Sequence, residues 1–317
     1  MNNLTIVIPN YNGARLLRRN LPSVLDAAQF YDAQTRVIVV DDGSADDSVA
    51  VLQNEFPEVR LVRHEINRGF SEAVLSGVQA AETELVFLLN SDVEMRADCL
   101  PLLAKYFSDS KAFSVNPLML DEDGNVNRHS WNLRSFQRGY LKLDEWDLPQ
   151  ALELRQHAPL QSLYACGGCM LTRRAMFLEL GGFHPLYKPF YGEDYDLGIR
   201  AWYQGWATYF EPGVSVVHQS QGSIKDNVKR AYVKQVRRRN RYFLEWMHMS
   251  KTQLLFSTLP WTMFQLAGEL LILDKTNLKG FFSAVASLPA VLRARWAVMK
   301  KRAMSLENII EAIHGFK

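Results

Sequence analysis

Four short apolar runs punctuate the first ninety-odd residues: LTIVIP (4–9), RVIVVDD (36–42), VRLVRH (59–64) and LVFLL (85–89). They are rich in Val, Ile and Leu and lack clean apolar–polar alternation, the pattern of strands covered on both faces. Between them lie helix-like stretches at 14–30, 46–55 and 69–81, with Ser44 ahead of ADDSVAVL as an N-cap. This alternation predicts an α/β domain built on a parallel, doubly wound sheet. Beyond Asp92 the pattern loosens. CLPLLAKYF reads as a helix leading to the apolar run AFSVNPLML, and the polar stretch from 121 to about 157 reads as irregular loop with a short helix. LYACGGCMLTRRAMFLELGGF predicts a strand, a turn and a short helix closed by Gly181-Gly182. DYDLGIRAWYQGW then reads as a helix, and ATYFEPGVSVVH as a strand ending at His218.

Ligands of an open α/β sheet sit beyond the carboxyl ends of its strands. Here those ends read Pro9-Asn10-Tyr11-Asn12, Asp41-Asp42-Gly43-Ser44, His64 through Arg68, and Asn90-Ser91-Asp92. All four are polar. Adjacent Asp41 and Asp42 need hydrogen bonds or a cation, and a carboxylate there can accept from a base N–H or a ribose hydroxyl. The chain has neither G-x-G-x-x-G nor G-x-x-x-x-G-K-[ST], so both glycine-rich phosphate cradles are missing. A diphosphate bound without them usually needs a cation. Asp92 and Asn90, one residue apart, offer hard oxygen ligands suited to Mg²⁺ or Mn²⁺. Each feature alone has a plainer reading: Asp-Asp-Gly-Ser as a turn and cap, His218 as a satisfied strand-end histidine, GEDYDLGIRA as a solvated helix start. Their joint position at the strand ends favours a site.

The motifs IVIPNYNG, VIVVDDGSADDS, NRGFSEAVLSGVQAA, FLLNSDV, GGCMLTRRAMFLELGGFHPLYKPFYGEDYDLGIRAWYQGW and VVHQSQGS occur in the order seen in family 2 glycosyltransferases. From about residue 4 to 223 the chain resembles that family, and within it the bacterial rhamnosyltransferase-like branch. The resemblance implies a GT-A fold (Rossmann-like, mostly parallel, helices on both faces) and an inverting transferase using a nucleotide-diphosphate sugar, dTDP-rhamnose being one candidate. It places Asn10, Asp41 and Asp42 in the nucleoside pocket, flanked by Pro9 and Tyr11. Asn67, Arg68 and Gly69 join the donor-binding set, Arg68 adding charge near the diphosphate. Asn90-Ser91-Asp92 falls where the family has D-x-D, Asp194 where it has the general base, with Glu193 beside it, and His218 where it has a metal- or diphosphate-contacting histidine. Asn90 departs from the commoner aspartate, which lowers the ligand charge. Inversion needs a positioned carboxylate for the acceptor hydroxyl and a stabilised leaving group, and no Ser or Cys nucleophile.

Composition adds three points. The 317 residues, 48% hydrophobic and 22% charged, suit a globular protein of one large or two smaller domains. Three cysteines do not make a disulfide framework; Cys166 and Cys169 form a CxxC without a second pair, read as small residues packed in a strand. The N-terminus has no basic n-region, and its apolar stretch is short for a signal peptide.

The net charge of +2 hides an asymmetry. From residue 228 onward there are 16 Lys and Arg against 5 Asp and Glu, and before it 20 against 29. The basic run KRAYVKQVRRRNRYFLEW precedes an apolar segment, 252–273, whose only charge is Glu269. Its length permits a membrane span, but Pro260, two glutamines and Glu269 favour a helix lying in the interface of an anionic membrane. Packing on the catalytic domain or a dimer partner is the alternative, and the apolar content argues against nucleic acid. The expected organisation is a GT-A domain over 1–225 and a basic, apolar helical region over 226–317. The expected role is sugar transfer to a saccharide or polyprenyl-linked acceptor in cell-surface polysaccharide synthesis, at the cytoplasmic face of a bacterial plasma membrane. Two rivals are a sugar nucleotidyltransferase, which would carry a Gly- and Arg-rich first loop with a lysine that PNYNGARLL lacks, and a non-catalytic glycan- or nucleotide-binding protein.

Overall fold

The computed structural model describes residues 3–32, 34–219 and 229–315. The first half follows the predicted alternation: β1 (Leu4–Asn10), α1 (Ala14–Tyr31), β2 (Arg36–Asp42), α2 (Ser48–Glu55), β3 (Arg60–His64), α3 (Phe70–Ala80) and β4 (Leu85–Leu89). β3, β2, β1 and β4 are neighbours in that order and all parallel. Successive side chains of β1 serve different cores. Leu4, Ile6 and Ile8 join α1, while Val7 joins Ile38, Val40 and the apolar side of α3, so helices cover both faces. α3 lies tight on the sheet: a Cβ at Gly77 would sit 2.2 Å from a methyl of Val7.

The second half is mixed rather than mostly parallel. β5 (Val93–Met95), α4 (Cys99–Ala104), β6 (Ala112–Leu120), the hairpin β7 (Arg134–Gln137) and β8 (Tyr140–Leu143), α5 (Leu148–His157), β9 (Leu160–Ser162), β10 (Cys169–Arg173), α6 (Arg174–Glu179), α7 (Glu193–Tyr203) and β11 (Ala207–His218) follow. The described sheet has nine strands in the order β3-β2-β1-β4-β10-β6-β11-β5, with β9 on β11. β10 is antiparallel to β4 and β6. Its entry explains the direction. The Asn90 N–H at the end of β4 donates to the Gly168 carbonyl at 2.8 Å, so β10 starts where β4 stops and runs back.

Two local expectations change. α2 starts at Ser48, not near Ser44; the Ser44 hydroxyl instead accepts the Asn12 N–H at 2.9 Å. The polar stretch is more ordered than its composition suggested. Trp131 stacks on Phe210, and Trp146 meets both edge-on, so these aromatics anchor the segment. Arg173 and Arg174 lie at the end of the sheet opposite the polar strand ends, Arg173 pairing with Glu84 and the Phe107 carbonyl.

The C-terminal region is helical: α8 (Arg230–His248), a π-helical stretch (Leu254–Thr258) running into α9 (Leu259–Leu271), α10 (Lys275–Ala286), α11 (Leu288–Lys300) and α12 (Leu306–His314). The expected 225/226 boundary lies outside the described residues. α8 docks on the sheet domain, and α10 packs closely on α8, where a Cβ at Gly280 would meet the Arg238 side chain at 2.8 Å.

Candidate active site

The ends of β1 and β2 are tied together by side chains. The Asn10 amide donates to Asp41 Oδ1 at 3.2 Å, and the Ser44 N–H to Asp41 Oδ2 at 3.1 Å. Asn10 Oδ1 is buried with no hydrogen-bond partner, and Gly13 leaves room for it, since a Cβ there would lie 2.2 Å away. A buried amide oxygen without a donor is expensive unless a ligand supplies one. Asp42 behaves differently. Its oxygens accept His64 Nδ1 at 2.7 Å and the backbone N–H groups of Arg68 at 2.9 Å and Gly69 at 2.7 Å. It therefore shapes the 66–69 loop from below, with Asn67 and Arg68 exposed above it. Gly43, at φ +72°, lets that loop pass: a Cβ would meet the Ile66 carbonyl carbon at 2.6 Å. Pro9 is partly buried and Tyr11 exposed at the same rim.

β4 delivers the next group. The Asn90 side chain lies against Gly168, where a Cβ would sit 2.4 Å from its amide nitrogen. The Ser91 carbonyl accepts from the Asn20 amide at 2.8 Å, and Gln219 donates to Asn20 at 2.7 Å. Antiparallel pairing of β5 with β11 sets His218 opposite Val93 and brings His218 Nε2 within 3.5 Å of Asp92 Oδ1. No group of three His, Cys, Asp or Glu side chains suited to a metal forms among the described residues. An Asp–His pair with a nearby amide still fits Mg²⁺ or Mn²⁺ when phosphate oxygens and waters complete the shell, as Mg²⁺ prefers.

The third group stands at the start of α7. Gly192, at φ +94°, turns the chain into the helix, and Asp194 Oδ2 accepts the Gly167 N–H at 3.2 Å while Oδ1 accepts the Tyr195 N–H at 2.8 Å. Burial raises the Asp194 carboxyl above its ordinary value, opposed by those N–H groups and by Arg134. Glu193 is pushed higher, to about 8, by burial and by the Asp194 charge, and its Oε2 has no hydrogen-bond partner. Near neutrality Glu193 therefore keeps its proton, while the two N–H donors at Asp194 favour the charged form of its carboxyl. Gly167-Gly168 thus touches two groups at once, Asp194 through one residue and Asn90 through the next. Beside it Cys166 is a half-buried free thiol, pushed up to about 12 by burial and the Asp194 charge, which favours the protonated thiol.

Residues outside the expected set hold this geometry. Arg134, on β7, donates to the Tyr164 hydroxyl at 2.7 Å and lies 4.9 Å from the Tyr195 ring. Asn240, on α8, donates its amide to the carbonyls of Tyr187, Phe190 and Tyr191, at 2.9, 2.9 and 2.7 Å. Asp196 is buried against Arg200 Nε at 2.7 Å and His248 Nε2 at 2.9 Å; burial pushes its carboxyl up, but these partners outweigh it and hold it well below the usual range.

Residues 5–181 match the sequence profile described as Glycosyl transferase family 2, more than half of the chain. The chain belongs to glycosyl transferase family 2. This glycosyltransferase is 27% identical over 240 residues to an N-acetylglucosaminyl-diphospho-decaprenol L-rhamnosyltransferase of Mycobacterium tuberculosis, covering 69% of this chain and 77% of that one. Its fold is similar to a solved structure of GalNAc-T7 with UDP, GalNAc and Mn²⁺ (TM-score 0.61, 20% identity, 79% of this chain and 49% of that one). It is also similar to the mannosyltransferase PcManGT from Pyrobaculum calidifontis in complex with GDP-Man and Mn²⁺ (TM-score 0.57, 16% identity, 95% and 86%). The glycosyltransferase therefore has the GT-A fold with an added C-terminal helical region, as expected. The nucleotidyltransferase and non-catalytic alternatives fall away.

Proposed function

We propose that the enzyme moves a sugar, with inversion, from a nucleoside-diphosphate sugar to a saccharide carried on a polyprenyl diphosphate, during cell-surface polysaccharide synthesis at the cytoplasmic face of a bacterial membrane. One observation carries the reading: three chemically distinct groups meet around Gly167-Gly168 and Gly13 at one end of the sheet. Asn10 and Asp41 are suited to hold the nucleoside, with Pro9 and Tyr11 at the rim. Asp42 orders the loop that presents Asn67, Arg68 and Gly69, where the exposed Arg68 would add charge for the diphosphate. Asp92 and His218, with Asn90 and Ser91 beside them, would hold Mg²⁺ or Mn²⁺, whose chemistry there is to neutralise the departing diphosphate. Asp194 accepts the acceptor hydroxyl proton as attack proceeds. Protonated Glu193 keeps a second negative charge away from the incoming hydroxyl.

The mycobacterial relative makes dTDP-rhamnose and a GlcNAc-diphosphopolyprenol analogue the first pair to test. The experiment incubates the full chain with a panel of nucleotide sugars and that acceptor, with Mg²⁺, Mn²⁺ or EDTA, and measures released nucleoside diphosphate. Acceptor-dependent release supported by the cation and abolished by EDTA is expected. Release from no donor, or full release in EDTA, overturns the reading.

A further inference from the structure

The helical segment after α8 is built inside out. Thr258, Thr262, Gln265 and Glu269, spaced four, three and four residues apart, form one stripe, and this polar stripe faces the protein. Thr258 donates to the Gly139 carbonyl at 2.8 Å, Gln265 accepts the Tyr140 hydroxyl at 2.9 Å, and Glu269 accepts Arg238 Nη2 at 2.5 Å. The opposite stripe carries Leu255, Phe256, Leu259, Met263, Phe264 and Leu271, all exposed, with Phe256 at 79% and Phe264 at 71%. A water-facing helix has the reverse arrangement. Exposed Ile272 and Leu273 follow directly on the chain, and Phe282 on α10 and Trp296 on α11 are exposed as well. An apolar patch of this extent marks an interaction surface.

We infer that this face is an in-plane membrane anchor and that its occupant is an anionic phospholipid bilayer. Charge selects the bilayer over a second copy of the chain. Residues 251–302 contain eight Lys and Arg against two acids, Glu269 and Asp274. Both acids are already paired, with Arg238 and Lys234. A two-fold partner would bring this basic segment against its own copy, whereas an anionic surface attracts its cations, apart from Arg295, which is turned inward to the carbonyls of Trp246, Met247 and Met249. The polar stripe selects lying over spanning, because its partners are on the protein. Among the described residues no single helix is long and apolar enough to cross a membrane. The pair α10–α11 has the length but is bent by 62°, and its Gly280, Ala284 and Val291 are buried. The proposed acceptor gives the anchor its purpose, but the observations for it are independent of which sugar is transferred.

The test is flotation of the full chain with mixed phosphatidylglycerol–phosphatidylcholine vesicles and with phosphatidylcholine alone. The wild type should float with the first and far less with the second. The double variant F256E/F264E alters only exposed positions, so its melting temperature and its hydrolysis of soluble donor should be unchanged. Its vesicle partition coefficient should fall by about 10²-fold or more, from losing two inserted phenyl groups. A wild type that stays in solution, or a variant that floats equally well, overturns the proposal. So does a vesicle-free dimer, seen by light scattering, that the double variant splits while neither protein floats; the face then belongs to a second copy. The donor panel is run separately without lipid, so failure of the sugar assignment and failure of the anchor cannot be confused.

Discussion

Replacing Asp194 by Asn separates basicity from shape. The carboxylate accepts two backbone N–H groups, from Gly167 at 3.2 Å and Tyr195 at 2.8 Å. An amide retains one acceptor and turns an NH₂ toward the other N–H. The structural loss is thus one hydrogen bond and one poorly satisfied group, roughly 1–3 kcal/mol. A folded domain has about 5–15 kcal/mol in hand, so the variant should fold. The chemical loss is larger. A general base contributes about 10²–10⁴ in rate, or roughly 3–5 kcal/mol of barrier at about 1.36 kcal/mol per decade. Glu193 is the internal control. Burial keeps it protonated up to about pH 8, so Glu193→Gln replaces one neutral group by another and should leave turnover close to wild type below that pH. The assay is steady-state transfer with the donor fixed by the panel, paired with calorimetric donor binding. Donor Kd should be unchanged in both variants, and kcat should collapse only in Asp194→Asn. If Asp194→Asn turns over normally while Glu193→Gln is dead, the roles of the two carboxylates are reversed and the protonation argument is wrong.

Asp92→Ala should abolish transfer and remove the Mn²⁺ dependence of nucleoside-diphosphate binding with an unchanged circular dichroism spectrum; equal Mn²⁺-stimulated affinity in both proteins would place the cation elsewhere. Asn240→Leu removes the amide whose two N–H groups are shared among three carbonyls, the Tyr187 contact buried and the other two part-buried, at roughly 1–3 kcal/mol for a buried carbonyl left unpaired. It should lower kcat while donor KM changes little, and a rise in KM alone would assign Asn240 to the donor side. Glu245 is buried beside Arg241, and burial pushes its carboxyl from the ordinary 4.5 to about 8. The folded form therefore keeps a proton that the unfolded chain has released between those values, and stability falls as pH rises across that window. Glu245→Gln removes the titration, so its melting temperature relative to wild type should climb through the window and level off above it; a pH-independent difference contradicts this.

The strands of the first half and the polar residues at their ends were readable from sequence because they obey local rules. A Val- and Ile-rich run ending in Asp-Asp or Asn-Ser-Asp has little freedom once the sheet faces are covered. Asp42 shows the limit of such reading. Its position fits a ligand contact, but its oxygens are occupied by His64 and the Arg68–Gly69 backbone, which only coordinates reveal. Arg134 gave no signal, because RSFQRGYLKL is half polar on both faces and owes its hairpin to distant packing, including His314 against the Arg134 carbonyl at 3.0 Å. Asn240 was hidden in a run dominated by arginines. The tail's apolar segment was visible as composition, but its inverted helix face was not, since which stripe points inward depends on Tyr140 and Arg238.

Asn240 and His248 also bear on how relatives of this enzyme exchange parts. The family match ends at residue 181, ahead of the proposed base, and the carbonyls and Asp196 that position α7 are held from α8. A chimera joined near residue 225 would give Asp194 a foreign helix to lean on, and a chain ending there would leave Asp196 without one of its two partners. The recombination seam that keeps α8 whole lies after His248, where the segment proposed to face lipid begins. Grafts made at that seam would change the proposed membrane-facing surface and keep α8's hold on the proposed base, but they would have to restore the contact that His314 makes with the Arg134 hairpin.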